Sequence, residues 1–105
     1  MKVAIFFGSK SDKETMKKGA DILEEFGVEY KAYIISAHRA GALLHATVEQ
    51  VEKEGCEVII AGAGLAAALP GVIAGITTLP VIGVPLECCT DKSNGLGGMD
   101  ALLSI

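Results

Sequence analysis

The chain alternates short apolar runs with amphipathic helical patterns, and this alternation constrains its fold more than any other feature. Bounded apolar runs predict buried strands at residues 2–7, 28–35, 56–61 and 80–84. Strands that alternate with helices imply a parallel sheet with right-handed crossovers and helices on both faces. We therefore predict one α/β domain over residues 1–105, with a parallel sheet of about four strands.

The first two helices have clear boundary signals. The pattern Ser11-x-x-Glu14 is a capping box that predicts the start of the first helix, and Gly27 predicts its end. The second helix is predicted over residues 39–54 and stops at Gly55. Helical spacing predicts that the two helices turn these side chains inward: Met16, Ala20, Leu23, Phe26, Leu43, Leu44, Thr47, Val48 and Val51.

The second half of the chain is rich in small residues. A tight turn is predicted at residues 62–64, followed by a small-residue helix over residues 66–77 that kinks or restarts at Pro70. After the fourth strand, residues 86–98 are predicted as a loop and residues 99–105 as the start of another helix.

Charge and apolar content limit the possible partners. The net charge of −4 argues against a general nucleic-acid binder. Residues 58–86 carry no charge, but their prolines and glycines argue against a membrane span. The apolar run after Lys2 is too short for a secretory signal, so a cytoplasmic protein is predicted. Charged side chains concentrate in residues 1–55, and the apolar remainder favours a homo-oligomer.

The cysteines do not form a disulfide framework, because their number is odd and no Cys-x-x-Cys pair occurs. Cys56 opens an apolar strand and is predicted to be a small core residue. The vicinal pair Cys88 and Cys89 falls in a predicted loop. No third ligand lies nearby in the sequence, which favours an ordinary loop over a soft metal site.

Two polar segments follow the first two predicted strands, where open α/β sheets bind ligands. Residues 8–12 read Gly-Ser-Lys-Ser-Asp, and residues 36–39 read Ser-Ala-His-Arg. Ser9 and Ser11 can donate hydrogen bonds to phosphate oxygens, whereas the carboxylate of Asp12 suits ribose hydroxyls. Ser11 and Asp12 are also expected to cap the helix that follows. These segments predict a site for a phosphorylated, sugar-linked ligand.

The second polar segment adds acid–base chemistry. A histidine such as His38 can accept and donate a proton near neutral pH, and the guanidinium of Arg39 can clamp a phosphate. The other histidine, His45, falls inside the second helix, where packing or solvent exposure explains it best. Residues 62–67 match the pattern G-x-G-x-x-A, with Glu87 further on, which leaves dinucleotide binding as an alternative to close helix–strand packing.

Together these motifs resemble the PurE family, the N5-carboxyaminoimidazole ribonucleotide mutases of purine biosynthesis. The resemblance covers essentially the whole chain. It rests on residues 8–12, 36–39, 61–64, 69–71, 79–85 and 99–105.

The resemblance implies a flavodoxin-like three-layer sandwich, usually assembled as a homo-octamer. It also implies a carboxylate shift from an exocyclic nitrogen to C4 of an aminoimidazole ribonucleotide, without metal, ATP, biotin or another cofactor. The family's last strand and C-terminal helix are absent from residues 1–105, so the domain is expected to be C-terminally incomplete.

The resemblance also implies roles for individual residues. His38 would be the general acid/base, and Ser36 would help to hold the substrate. Ser9, Asp12 and Arg39 would bind the ribose 5-phosphate. The full set of implied substrate-binding residues is Gly8, Ser9, Ser11, Asp12, Ser36, Arg39, Ala63, Gly64 and Leu69.

The chain departs from the usual family pattern in one segment. Mutases usually read Gly-Gly-Ala-Ala-His-Leu-Pro-Gly, whereas residues 64–71 read Gly-Leu-Ala-Ala-Ala-Leu-Pro-Gly, so Ala68 replaces a second histidine. Arg39 favours the mutase over the branch that carboxylates the ribonucleotide directly with carbon dioxide, since that branch usually has lysine there. Direct carboxylation, a non-catalytic nucleotide-binding scaffold and a flavin or dinucleotide protein stay open as alternatives.

Overall fold

The computed structural model describes residues 1–87 and 96–105. Their strands are β1 (Lys2–Phe7), β2 (Glu29–Ile34), β3 (Val58–Gly64) and β4 (Val81–Leu86). Their helices are α1 (Lys13–Glu25), α2 (Gly41–Lys53), α3 (Leu69–Ala74) and α4 (Met99–Ser104), with a short 3-10 helix, Lys10–Asp12, ahead of α1. The predicted loop pair Cys88 and Cys89 lies outside the described residues.

The four strands form one parallel sheet in the order β2-β1-β3-β4. In the register, Val3 of β1 lies opposite Tyr30 of β2 on one side and Val58 of β3 on the other. The chain moves outward from β1 to β2 and then crosses back to β3, so the strand order reverses between β1 and β3. Open α/β sheets bind their ligands at such a switch point.

Apolar side chains of β1 alternate between the two faces of the sheet, and each face carries its own core. The core beside α1 consists of Val3, Ile5, Phe7, Met16, Ala20 and Leu86. The core beside α2 and α3 consists of Ala4, Phe6, Ile35, Leu44, Val48, Val51, Cys56, Ile59, Ala61, Leu69 and Ile73. This layered arrangement confirms the predicted α/β fold, and the burial of Cys56 confirms its prediction as a core residue.

The prediction of a tight turn at residues 62–64 is wrong. β3 continues through Gly64, and its last residues pair with Gly83–Leu86 of β4. The small residues there allow close packing: a Cβ added to Gly62 would lie 2.5 Å from Met16 Sδ of α1. The pattern G-x-G-x-x-A therefore lacks the strand-to-helix turn that a dinucleotide fingerprint requires.

Three predicted helix starts also differ from the structure. Ser11 does not form the predicted capping box, because Ser9 caps the 3-10 helix by accepting a hydrogen bond from Ser11 N–H, and Asp12 makes no side-chain cap to α1. The small-residue helix is shorter than predicted and begins at Leu69 with Pro70 in its first turn, so there is no kink. α2 begins at Gly41 instead of residue 39.

Two of the side chains predicted to turn inward are exposed. Phe26 is 76% exposed because it follows the last residue of α1, and Leu43 is 57% exposed beside the fully buried Leu44. Within the described residues, no helix has the length and apolar character needed to cross a membrane.

Candidate active site

The two polar segments that follow β1 and β2 lie against each other. Ile35 N–H donates to Phe7 O at 2.9 Å, which extends the strand pairing beyond β2. Immediately afterwards the backbones stay close, since a Cβ on Gly8 would lie 3.9 Å from Ser36 Cα. The parallel register thus brings residues 8–12 and 36–39 to the same edge of the sheet.

Hydrogen bonds hold the first polar segment in a compact turn. Ser9 Oγ accepts from Ser11 N–H at 3.1 Å and lies 2.6 Å from Ser11 Oγ. Asp12 N–H donates to Ser9 O at 3.1 Å. The turn therefore presents two adjacent hydroxyls and a carboxylate at the end of β1, ahead of α1.

Ser36 organises the second polar segment. Its Oγ accepts from Arg39 N–H at 3.3 Å, and its carbonyl accepts from Ala40 N–H at 3.0 Å. These bonds close a turn that carries the exposed side chains of His38 and Arg39. Both functional groups are therefore held on one short, hydrogen-bonded turn.

The segment after β3 supplies an apolar third side. A Cβ on Gly64 would lie 3.3 Å from Leu86 O, so β3 and β4 approach closely there. Leu65 then adopts a left-handed backbone with φ of 55°, and its carbonyl accepts from Ala67 N–H at 2.9 Å. Ala66 and Ala68 complete this side.

These segments enclose a cleft of about 530 Å³. Every residue predicted for the site lines it: Gly8, Ser9, Ser11, Asp12, Ser36, His38, Arg39, Ala63, Gly64 and Leu69. Their roles in binding and proton transfer stay predictions. Sequence reasoning missed the lining residues Ala37, Leu65, Ala66, Ala68 and Glu87 as members of one site. These residues follow the ends of strands, and that position in the sequence is the signal by which they could have been assigned to the site.

The charged groups of the cleft are of both signs. Arg39 offers a guanidinium, whereas Asp12 and Glu87 offer carboxylates. Partial burial raises the pKa of Asp12 above its ordinary value. Among residues 1–87 and 96–105, no three His, Cys, Asp or Glu side chains cluster in a way that could hold a metal ion. The cleft offers hydroxyls and a guanidinium of the kind that suit a phosphorylated sugar, and one imidazole of the kind that suits proton transfer.

A smaller cavity of about 150 Å³ lies at the opposite, amino-terminal edge of the sheet. Its lining includes Lys2, Lys31, Glu54 and Cys56. Lys31 Nζ pairs with Glu54 Oε2 at 3.3 Å, and Lys2 Nζ donates to Glu54 O at 3.0 Å, so its cations are already engaged. Burial raises the pKa of the Cys56 thiol, which disfavours the reactive thiolate.

Taken together, the fold and the cleft define an open parallel α/β protein with a cleft at its switch point, the place where such sheets bind ligands. The family described as AIR carboxylase matches residues 2–105, and the chain belongs to this family. A structure titled PurE from Treponema denticola has a TM-score of 0.84 and 28% sequence identity, and the match covers 99% of this chain and 65% of that one. The likeness confirms the flavodoxin-like prediction.

Curated relatives are more similar in sequence. An N5-carboxyaminoimidazole ribonucleotide mutase from Saccharolobus solfataricus is 50% identical over 104 residues, which are 99% of this chain and 63% of the relative. One of the same name from Pyrococcus horikoshii is 55% identical over 103 residues, covering 98% of this chain and 55% of the relative. The chain therefore spans less than two thirds of the length of these relatives.

Proposed function

We propose that the cleft interconverts N5-carboxyaminoimidazole ribonucleotide and 4-carboxy-5-aminoimidazole ribonucleotide, as a mutase of purine biosynthesis. One observation carries the proposal. Residues from three separate segments, which the family resemblance links to this substrate, line a single cleft at the switch point. The names of the curated relatives agree with this activity.

The ribose 5-phosphate binds at the polar side of the cleft. The hydroxyls of Ser9 and Ser11 donate to phosphate oxygens, and Arg39 adds a charged, two-pronged contact. Asp12 accepts hydrogen bonds from the ribose hydroxyls. This anchoring leaves the aminoimidazole ring free to approach the small residues Ala63 and Gly64, which line the same cleft.

His38 moves the protons. The bond between N5 and its carboxylate breaks as the protonated imidazole gives N5 a proton, which releases carbon dioxide. C4 then forms a bond to the carbon of carbon dioxide and loses its own proton to the same imidazole. Atoms and charge balance without an oxidant, reductant or second substrate, so one group serves both halves of the reaction.

The small-residue side of the cleft favours recombination over escape of carbon dioxide. A gas molecule held beside C4 reacts as though it were at very high concentration, with effective molarities of about 10⁵ M or more in well-oriented systems. Ala63, Gly64 and Ala66 present no charged or hydroxyl side chain that would hold water there.

Replacement of His38 by asparagine tests the proposal. We expect His38→Asn to lower kcat for the mutase reaction by about 10² to 10⁴-fold, because general acid–base catalysis contributes that much. The Kd of the ribonucleotide should stay within about twofold, since the phosphate contacts are intact. His45→Asn is the matched control: His45 is exposed on α2, pairs with Glu49 at 3.5 Å and does not line the cleft.

Near-normal turnover by His38→Asn would overturn the assignment of the acid/base. A second assay supplies aminoimidazole ribonucleotide and bicarbonate in place of N5-carboxyaminoimidazole ribonucleotide. Turnover in this assay alone would point to the direct carboxylase.

The assembly and location of the protein belong to the same proposal. The family resemblance and the apolar second half of the chain support a cytoplasmic homo-octamer. Sedimentation at micromolar concentration should then give eight times the chain mass of 10.8 kDa. A monomer at micromolar concentrations would contradict the proposed octamer.

A further inference from the structure

Leu65 has a backbone conformation that its side chain disfavours. It is the one non-glycine residue with positive φ, at 55°, in the described part of the chain. A left-handed backbone brings the Cβ of an L-residue too close to the following carbonyl oxygen. Such strain persists where the surroundings impose it, and it is concentrated at binding and catalytic sites.

Neither the core nor the turn explains a leucine at this position. The residue is 54% exposed, so its side chain contributes little to core packing. The turn itself uses only its carbonyl, which accepts from Ala67 N–H at 2.9 Å. Glycine would make the same turn without steric cost. The side chain therefore has a use outside the folding of this segment.

The position of Leu65 indicates that use. It lines the cleft in the segment that follows β3, where its neighbours in the sequence are glycine and alanine. The other leucine of the lining, Leu69, is only 4% exposed. Leu65 is thus the one large apolar side chain that the described part of the cleft offers to a ligand.

We propose that Leu65 determines specificity by packing its isobutyl group against the flat heterocycle of the ribonucleotide. The phosphate binds to the hydroxyls and Arg39, and the ring is covered by this leucine. The inference rests on the proposed function and adds to it a residue that selects for the ring.

Binding measurements on Leu65→Ala and Leu65→Gly test the inference. Both variants remove the isobutyl group, so the Kd of aminoimidazole ribonucleotide should rise about five- to tenfold in each. The Kd of ribose 5-phosphate, which lacks the ring, should not change. Leu43→Ala is the matched control, because Leu43 is 57% exposed on α2 and does not line the cleft.

Thermal unfolding of the same variants checks the backbone. Leu65→Gly should melt about 4–8 °C above Leu65→Ala, because glycine relieves the left-handed strain. Sedimentation of each variant should match that of the unsubstituted protein, which excludes a role of Leu65 in contacts between copies.

These measurements distinguish a failure of the proposed role of Leu65 from a failure of the proposed function. Unchanged ribonucleotide Kd in both variants, equal weakening of both ligands, or altered assembly would overturn the role of Leu65 alone. Failure of the unsubstituted protein to bind the ribonucleotide would overturn the proposed function and this inference with it.

Discussion

Asp12 illustrates how a charged residue that lines the cleft can lower the stability of the fold. Partial burial in the cleft raises the pKa of its carboxyl, so the folded protein holds this proton more tightly than the unfolded chain does. The protonated form therefore contributes stability that is complete below an aspartate's ordinary pKa of about 3.9. This contribution is lost as the pH rises through the folded-state pKa.

Replacement of Asp12 by asparagine should reveal this penalty. At pH 7 we expect Asp12→Asn to unfold at a higher temperature than the unsubstituted protein, because no charge is buried. The difference should vanish below about pH 3.5, where the carboxyl is protonated in both states. Thermal unfolding followed by circular dichroism across this range measures the effect.

Asp21 provides the control for Asp12. It is exposed on α1 and pairs with Lys17 Nζ at 3.1 Å, so Asp21→Asn should bring no gain in stability at pH 7. Equal melting temperatures of Asp12→Asn and the unsubstituted protein at pH 7 would show that burial of Asp12 has no energetic consequence.

The residues of the cleft were largely predictable, because residue type and position after a strand carry most of the information. Ser9, His38 and Arg39 offer hydrogen bonds, proton transfer and charge, and each follows a predicted strand. The sequence alone does not point to Leu65, since its distinguishing feature is a backbone angle. Ser11 was assigned the wrong capping role because Ser9 competes for the same short turn.

At the scale of elements, the contact between α1 and β3 depends on the absence of a side chain at Gly62. A Cβ there would lie 2.5 Å from Met16 Sδ and 3.1 Å from Leu86 Cδ1. Met16 and Leu86 belong to the core beside α1, so an added methyl would force both side chains to shift within a packed core. Met16 of α1 can therefore lie this close to residue 62 of β3 because that residue has no side chain.

We expect Gly62→Ala to destabilise the protein by about 1–3 kcal/mol, because the added methyl overpacks this contact. Chemical denaturation measures the loss. Gly71→Ala is the matched control: a Cβ at Gly71 meets nothing within 4 Å, and alanine favours the helix α3. A Gly62→Ala variant as stable as the control would mean that α1 does not pack this closely.

Element order was easier to predict than element boundaries. Alternating apolar runs and helical patterns specify the parallel sheet, since few topologies satisfy the crossover rules. The end of β3 was misjudged because glycines at residues 62 and 64 resemble a turn, although here they permit close packing beneath α1 and against β4. Of the two outcomes predicted at Pro70, a kink or a restart, the structure has a helix that starts there, since proline is favoured in the first turn of a helix.

At the scale of the whole molecule, the two edges of the sheet differ in what they offer. The carboxyl-terminal edge joins three separate segments around the larger cleft, which is lined by the imidazole of His38 and the guanidinium of Arg39. The amino-terminal edge has a smaller cavity whose lysines already contact Glu54. We therefore expect a single ligand to span residues 8–12, 36–39 and 63–66.

Hydrogen–deuterium exchange with and without aminoimidazole ribonucleotide tests this claim most directly, because it reports each segment separately. We predict slower exchange in residues 8–12, 36–39 and 63–66 together, with one shared dependence on ligand concentration. Protection confined to one of these segments, or found instead around residues 29–33 and 54–57 at the opposite edge, would contradict it.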